Sequence, residues 1–199
     1  LKNAGIKSPK KHRKAKLHHR RKRKECEGMM LQADGTPFDW FGDGQKYSLH
    51  GFIDDATGKI LGLYMMKNEC LLGYLETLRY MLKHFGVPKN LYPDKYSVFF
   101  PTCKQKLTIE EELEGKTEPK TQFMNIVTTL GINMFPASTS QAKGRIERLW
   151  KTLQDRLITE FRINNITTPE QANEFFNKFI PKYNKKFAVE TASDISHFS

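Results

Sequence analysis

The sequence predicts an α/β protein in which a mixed five-stranded sheet is flanked by helices. Short apolar stretches bounded by turn residues are typical of strands. Longer stretches with apolar side chains at every third or fourth position are typical of helices. The two kinds of segment alternate along the second half of the chain. Strands and helices in this order pack as helices on a sheet, and 199 residues can bury such a core without disulfides.

Five segments have the pattern of strands. The second and third are separated by a turn at 56–59, so we expect them to form a hairpin. The first ends at Asp34 and the fourth ends at Asp94, which places an acid at the C-terminal end of two strands. The predicted strands cover residues 29–34, 47–54, 60–66, 90–94 and 131–136.

Four segments have apolar positions at helical spacing. Gly86 and Pro88 are expected to end the first helix. Thr168 is a good N-cap and Pro169 a good first residue for the last helix. The predicted helices cover residues 71–85, 122–130, 145–161 and 169–183.

The positive charge is concentrated at the N-terminus. The formal net charge is +11, but residues 1–24 contain twelve Lys and Arg and no acid, which leaves 21 basic against 22 acidic residues elsewhere. Such a segment cannot bury enough surface to fold alone. We interpret residues 1–28 as a disordered basic arm that binds DNA or RNA phosphates, and a solvated tail without a partner is the alternative. The DNA-binding candidates in the arm are Arg20, Arg21, Lys22, Arg23 and Lys24.

Domain organisation follows from these segments. We expect one core domain over residues 29–165, with a polar insertion at about 101–121, and a C-terminal helical extension over 166–199. The first residue is Leu, so we expect a piece of a longer polypeptide. No apolar run is long enough to span a membrane. Three widely spaced cysteines indicate free thiols and a reducing compartment.

Three acids are the catalytic candidates: Asp34, Asp94 and Glu147. Acids at the ends of strands and on a following helix can converge at one edge of a sheet, where open α/β folds bind their ligands. Three adjacent carboxylates repel one another unless they share a divalent cation. Oxygen ligands favour Mg²⁺ or Mn²⁺ over zinc. Two ions about 3.5–4 Å apart could activate a water or a 3′-hydroxyl and stabilise the leaving oxygen of a phosphoryl transfer.

The motifs around these acids resemble a known superfamily. LQADGT (31–36) is similar to the first-Asp strand of DDE transposases and retroviral integrases, and FGVP (85–88) with LYPD (91–94) is similar to their second-Asp strand. LGI (130–132) followed by STSQAKGRIER (138–148) resembles the loop and helix that carry their third acid. Two differences stand out: Lys95 and Tyr96 follow the second Asp, and the insertion at 101–121 lengthens the interval before Glu147.

The resemblance implies a fold, an activity and partners. It implies a ribonuclease-H-like catalytic core that uses two Mg²⁺ or Mn²⁺ ions, cleaves DNA at the ends of a mobile element and transfers the strands into target DNA. It further implies a homo-oligomer that synapses two ends, in the cytoplasm at the bacterial nucleoid. Two other functions stay open: a non-catalytic DNA-binding or assembly module with the same fold, and a nuclease that hydrolyses without joining.

The remaining polar and aromatic residues near these motifs are not expected to bind metal. The cations on the helix of Glu147 are predicted to contact DNA, with ordinary helix solvation as the alternative. Trp150 lies on the apolar face of that helix and is expected in the core. Four further acids, Asp39, Asp43, Asp54 and Asp55, are expected to cap turns. The predicted DNA-contacting cations are Lys143, Arg145, Arg148 and Lys151.

Overall fold

The computed structural model describes residues 22–101, 119–137 and 143–199. It confirms the mixed five-stranded sheet, in the order β3-β2-β1-β4-β5. Strands β1, β2 and β3 are antiparallel neighbours, and β4 and β5 continue the sheet in parallel with β1. The strands are β1 (Leu31–Phe38), β2 (Tyr47–Asp54), β3 (Ile60–Met66), β4 (Asn90–Tyr92) and β5 (Asn133–Met134).

Helices cover both faces of this sheet. Side chains alternate along β2, so that Phe52 packs in one apolar cluster while Leu49 and Ile53 pack in the other. The first cluster includes the first two helices and the second includes the last two. Each amphipathic helix thereby buries its apolar side against the sheet. The helices are α1 (Leu71–His84), α2 (Gln122–Thr129), α3 (Gly144–Ile163) and α4 (Pro169–Phe187).

Several predicted boundaries are confirmed and others are corrected. Thr168 is the N-cap of α4, where its side chain accepts a hydrogen bond from the Gln171 N–H. Strand β1 continues to Phe38, so Asp34 lies inside the strand rather than at its end, because β1 stays paired with β2 as far as Tyr47. Strand β4 ends at Tyr92, so Asp94 lies two residues beyond it and not at its end, because Pro93 has no N–H to donate to the sheet. Strand β5 is also shorter than predicted, with only two residues.

Helix α4 closes the outer edge of the sheet. The side-chain amide of Asn173 accepts a hydrogen bond from the Met65 N–H at 2.7 Å and donates one to the Met65 carbonyl at 3.0 Å. Asn184 makes the same pair of bonds with Ile60, both at 2.8 Å. These two amides of α4 bond the N–H and carbonyl groups of the edge strand β3 in place of a neighbouring strand. The same backbone groups could otherwise pair with another chain.

The described part of the N-terminal segment is held on the core. The Gly28 N–H donates to Asp54 Oδ1 at 3.1 Å, and the Lys24 N–H donates to Asp55 Oδ2 at 3.0 Å. The last residues of the chain run beside it, where the His197 N–H donates to the Glu27 carbonyl. Residues 22–28, expected to be part of a disordered arm, therefore lie on the core, where buried turn acids accept the backbone N–H groups of Lys24 and Gly28.

Three predicted features fall outside the described residues. They are the arm before residue 22, including Arg20 and Arg21, most of the insertion (102–118), and residues 138–142 of the loop before α3. At the edges of the insertion, the Thr121 hydroxyl donates to the Phe99 carbonyl at 3.1 Å, so the chain leaves and re-enters the fold at neighbouring points. Among the described helices, none is long and apolar enough to cross a bilayer.

Candidate active site

The register of two parallel strands brings Asp34 and Asp94 together. Gln32 of β1 pairs with Tyr92 of β4, and each aspartate follows its pairing residue by two positions. Side chains two residues apart lie on the same face of an extended chain. The predicted meeting of two acids from separate strands is therefore found, although Asp34 reaches it from within its strand.

A lysine bridges the two aspartates. Lys143 directly precedes α3, and its Nζ lies 2.6 Å from Asp34 Oδ1 and 3.6 Å from Asp94 Oδ2. Its side chain is 7% exposed, against 18% for Asp34 and 47% for Asp94. Lys143 was predicted to contact DNA from the helix surface. In the structure its ammonium group is instead buried against the two carboxylates that attract it.

Trp150 fixes the other oxygen of Asp34. Its indole Nε1 donates to Asp34 Oδ2 at 2.9 Å, while the ring packs over Gly51, the β2 partner of Asp34. A Cβ atom at Gly51 would lie 2.5 Å from the indole, so the strand can carry only glycine there without moving the ring. Trp150 is in the core as predicted, at 5% exposure, but sequence reasoning missed its hydrogen bond.

Glu147 lies beside this pair without joining it. It is exposed in the first turn of α3, four residues after Lys143 and about 6 Å further along the helix axis. Within the ranges that the structure describes, no three side chains of His, Cys, Asp or Glu are grouped closely enough to hold a metal ion together. The structure brings together Asp34 and Asp94 and leaves Glu147 at the surface next to them.

Sequence reasoning missed a further acid, Glu69, on the opposite face of β1. Glu69 packs against Gly35, where an added Cβ would meet its carboxyl carbon at 2.7 Å, and its Oε1 accepts a 2.5 Å hydrogen bond from the Tyr74 hydroxyl. Burial raises the pKa of Glu69; the Tyr74 hydrogen bond lowers it, and the charges of Asp34 and Asp94 raise it. The sequence offered one signal for Glu69, namely its position in the short connection between β3 and α1.

A buried histidine holds the segment that carries Glu69. His50 Nε2 accepts a hydrogen bond from the Cys70 N–H at 3.1 Å, which leaves Nδ1 to donate to the Tyr64 carbonyl at 3.1 Å. His50 is 0% exposed, and burial lowers its pKa from 6.5 to about 4. Gly73 of α1 leaves room for the ring, since a Cβ there would lie 2.4 Å from it. The neutral imidazole thus fixes the start of α1 against β2.

Two proteins are similar in sequence along most of the chain. The predicted transposase y4bF of Sinorhizobium fredii is 39% identical over 197 residues, which are 98% of this chain and 41% of that protein. The transposase for insertion sequence IS1202 of Streptococcus pneumoniae is 39% identical over 176 residues, which are 88% of this chain and 36% of that protein. The chain therefore spans less than half the length of these relatives. No protein-family profile matches it.

The fold is similar to solved retroviral integrase structures. A chain of the simian T-cell lymphotropic virus intasome in complex with PP2A regulatory subunit B56 gamma has a TM-score of 0.56 and 19% identity, over 77% of this chain and 48% of that one. The HTLV-2 integrase catalytic core domain in complex with magnesium has a TM-score of 0.53 and 15% identity, over 75% and 82%. The chain thus has the fold of retroviral integrase catalytic cores, and its sequence is similar to a part of each of two transposases.

The carboxylates of Asp34 and Asp94 are suitable ligands for a hard divalent cation. One oxygen of each carboxylate already lies within 3.6 Å of a single positively charged atom. Carboxylate oxygens are the ligands that Mg²⁺ and Mn²⁺ prefer. Two of the three predicted ligands therefore meet around one cation, and the third, Glu147, has an exposed side chain in the first turn of α3.

Arg145 lies in the interior and not on the exposed surface of α3. It was expected to contact DNA, but its side chain is 9% exposed and its Nη1 lies 2.7 Å from Oδ1 of Asp55, which is fully buried. The same oxygen accepts a hydrogen bond from Gln32, whose Oε1 accepts the Ile146 N–H at the start of α3. This network anchors α3 to the sheet. The turn acid and the helix arginine thus have a structural role.

The other predicted cations of the domain stay at the surface. Arg148 and Lys151 are exposed on α3, and Lys22 and Arg23 are exposed in the N-terminal segment. Arg23 Nη1 donates to the Ala56 carbonyl at 2.9 Å, which brings it to the α3 side of the sheet. Arg23 and Arg148 line one cavity of about 150 Å³, with Arg145 in its wall. The surface cations of the two segments are therefore neighbours.

Proposed function

We propose that this domain is the catalytic core of a DNA transposase, a polynucleotidyl transferase that cleaves element ends and joins them to target DNA. The observation that carries the proposal is the meeting of Asp34 and Asp94 around one cationic group at the start of the helix that bears Glu147. Two transposases with 39% identity along most of the chain support the same activity.

The proposed metal ligands are Asp34, Asp94 and Glu147. Bound Mg²⁺ or Mn²⁺, in two positions, would activate a water or a 3′-hydroxyl and neutralise charge on the phosphate. The magnesium bound by the HTLV-2 integrase core supports this choice of metal. Trp150 orients Asp34 through its Oδ2, and the strand register holds Asp94 beside it. Glu147 completes the set by a rotation of its exposed side chain toward the aspartates.

The proposed substrate is DNA, which runs along the exposed cations. Lys151 stands one turn beyond Glu147, and Arg148 and Arg23 extend the positive surface to the N-terminal segment. Phosphates neutralised there would hold the scissile strand near the aspartates. The remaining arm cations, Arg20, Arg21, Lys22 and Lys24, would add affinity that weakens with salt. Joining two element ends implies a homo-oligomer working at the bacterial nucleoid.

The test is a cleavage and strand-transfer assay on DNA that carries the terminal sequences flanking the gene. Wild-type protein with Mg²⁺ or Mn²⁺ should yield nicked ends and joined products. Asp34→Asn, Asp94→Asn and Glu147→Gln should each lower both products by at least about a hundredfold, the scale lost with a catalytic group. Asp155→Asn is the matched control, because Asp155 is an exposed acid two turns beyond Glu147 on the same helix.

The results separate the proposal from its alternatives. Cleavage without joined products would identify a hydrolytic nuclease. Binding of DNA with no cleavage, and no change on replacing Asp34, would identify a non-catalytic module. Activity of Glu147→Gln equal to wild type, with Asp34→Asn inactive, would overturn only the assignment of the third ligand.

A further inference from the structure

Lys143 occupies the point at which the two aspartates meet. Its ammonium group is within 2.6 Å of Asp34 and 3.6 Å of Asp94, and its side chain is 93% shielded from solvent by the surrounding fold. A charge-assisted hydrogen bond of this length in a shielded site is among the stronger polar contacts in proteins. Lys143 therefore neutralises the two carboxylates and holds them together at this edge of the sheet.

We propose that Lys143 is an internal counter-ion of Asp34 and Asp94, and that it leaves them when a divalent cation binds. The inference rests on the proposed function, because it concerns the same two ligands. A cation at about 2.0–2.1 Å from Asp34 Oδ1, the usual Mg–O distance, would lie within about 5 Å of Nζ. Two positive charges that close in a shielded site repel strongly. Lys143 and the metal therefore compete for the carboxylates.

Trp150 makes this competition specific to Lys143. The indole N–H occupies Asp34 Oδ2 but carries no charge, so it orients the carboxylate without opposing a second cation. The lysine can move because it precedes the first turn of α3, where its side chain makes no capping hydrogen bond with the helix. Once released, its ammonium group lies near the position that an incoming phosphate would take. The buried lysine thereby becomes available for the DNA contact expected from the sequence.

The first test is calorimetric titration of Mn²⁺ into chelator-treated protein without DNA. Lys143→Met should bind Mn²⁺ at least tenfold more tightly than wild type, a change of about 1.4 kcal/mol, because the competing charge is gone. Lys151→Met is the matched control: it removes an exposed lysine from the same helix and should change the affinity less than threefold. Equal or weaker binding by Lys143→Met would overturn the proposal. If Lys151→Met gained as much Mn²⁺ affinity as Lys143→Met, the gain would be a general effect of removing positive charge, and the proposal would fail.

The second test uses the wild-type protein, so it does not depend on how the variant folds. Lys143 should react slowly with an amine-acylating reagent, as measured by peptide mass spectrometry, and saturating Mn²⁺ should raise its rate at least fivefold relative to Lys151. An unchanged rate under Mn²⁺ saturation would refute displacement. If neither wild type nor Lys143→Met binds Mn²⁺, both this inference and the metal-dependent function fail. Tight binding by wild type without a gain in Lys143→Met refutes the counter-ion role alone.

Discussion

Replacing His50 by glutamine should remove a pH-dependent loss of stability that the wild-type protein shows below neutral pH. His50 is fully buried between β2 and α1, and its pKa falls from 6.5 to about 4 because burial disfavours the charged ring. Its Nε2 must also stay unprotonated to accept the Cys70 N–H. Between pH 6.5 and 4 the unfolded chain therefore binds a proton that the folded protein excludes, so stability falls as the pH is lowered.

The magnitude follows from the two pKa values. The contribution of His50 is intact above its unfolded pKa, and the loss amounts to about 0.4 kcal/mol at pH 6.5 and about 2 kcal/mol at pH 5. Below pH 4 the loss levels off at about 3 kcal/mol. Asp54 and Glu69 act in the opposite direction, since burial raises the pKa of each carboxyl and favours the folded state as the pH falls. The difference between wild type and His50→Gln isolates the histidine.

The measurement is the free energy of unfolding in urea, followed by circular dichroism at pH 8, 6.5 and 5. His50→Gln should be less stable than wild type at pH 8, where it loses the hydrogen bonds of the imidazole, and the gap should close by about 2 kcal/mol at pH 5. His84→Gln, which changes an exposed histidine at the end of α1, should follow the wild-type profile. A constant gap between wild type and His50→Gln from pH 8 to pH 5 would refute the buried neutral imidazole.

Two further predictions concern the edge and the anchor of the sheet. Asn173→Ala and Asn184→Ala should each lower the free energy of unfolding by about 1–3 kcal/mol, because each substitution removes the hydrogen-bond partner of one N–H and one carbonyl of β3. Asn177 is exposed on the same helix, so Asn177→Ala should change the free energy of unfolding little in a urea titration. A loss as large as that of Asn173→Ala and Asn184→Ala would contradict the role of these two amides at the sheet edge. Arg145→Met should cost about 3–5 kcal/mol, because it removes the ion pair that Arg145 forms with the buried Asp55. The affinity of folded Arg145→Met for DNA, measured by electrophoretic mobility shift, should equal that of wild type. A loss of DNA affinity without a loss of stability would instead support a direct contact between Arg145 and DNA.

The elements of the fold were predictable because their signals are local. Helix α1 begins at Leu71 and ends near Gly86 as its apolar spacing and its stop residues indicate, and Thr168 caps α4 through its own side chain. The hairpin of β2 and β3 was predicted from two strand-like segments separated by the turn at 56–59. Strand β1 was predicted too short, because Gly35 and Pro37 in its second half usually indicate a turn, and this half is held in the sheet by pairing with β2.

The candidate site was predictable in part. The acids Asp34 and Asp94 were singled out by motifs that resemble those of DDE transposases and integrases, together with their positions at predicted strand ends. The parallel register then places them side by side. Glu69 carried no comparable signal, since its approach to Gly35 depends on how α1 crosses the sheet. The indole of Trp150 looked apolar in sequence, although its N–H reaches Asp34 once the ring lies over β2.

The sequence by itself determined the α/β class, the elements, the strongly basic N-terminal segment and the two aspartates that converge. Tertiary structure alone decided the roles of the cations around Glu147. Lys143, Arg145 and Arg148 look alike in a short basic run, yet one binds the aspartates, one binds Asp55 and one faces solvent. The physical reason is that successive helical residues point about 100° apart, and the side of α3 that meets the sheet is set by long-range packing.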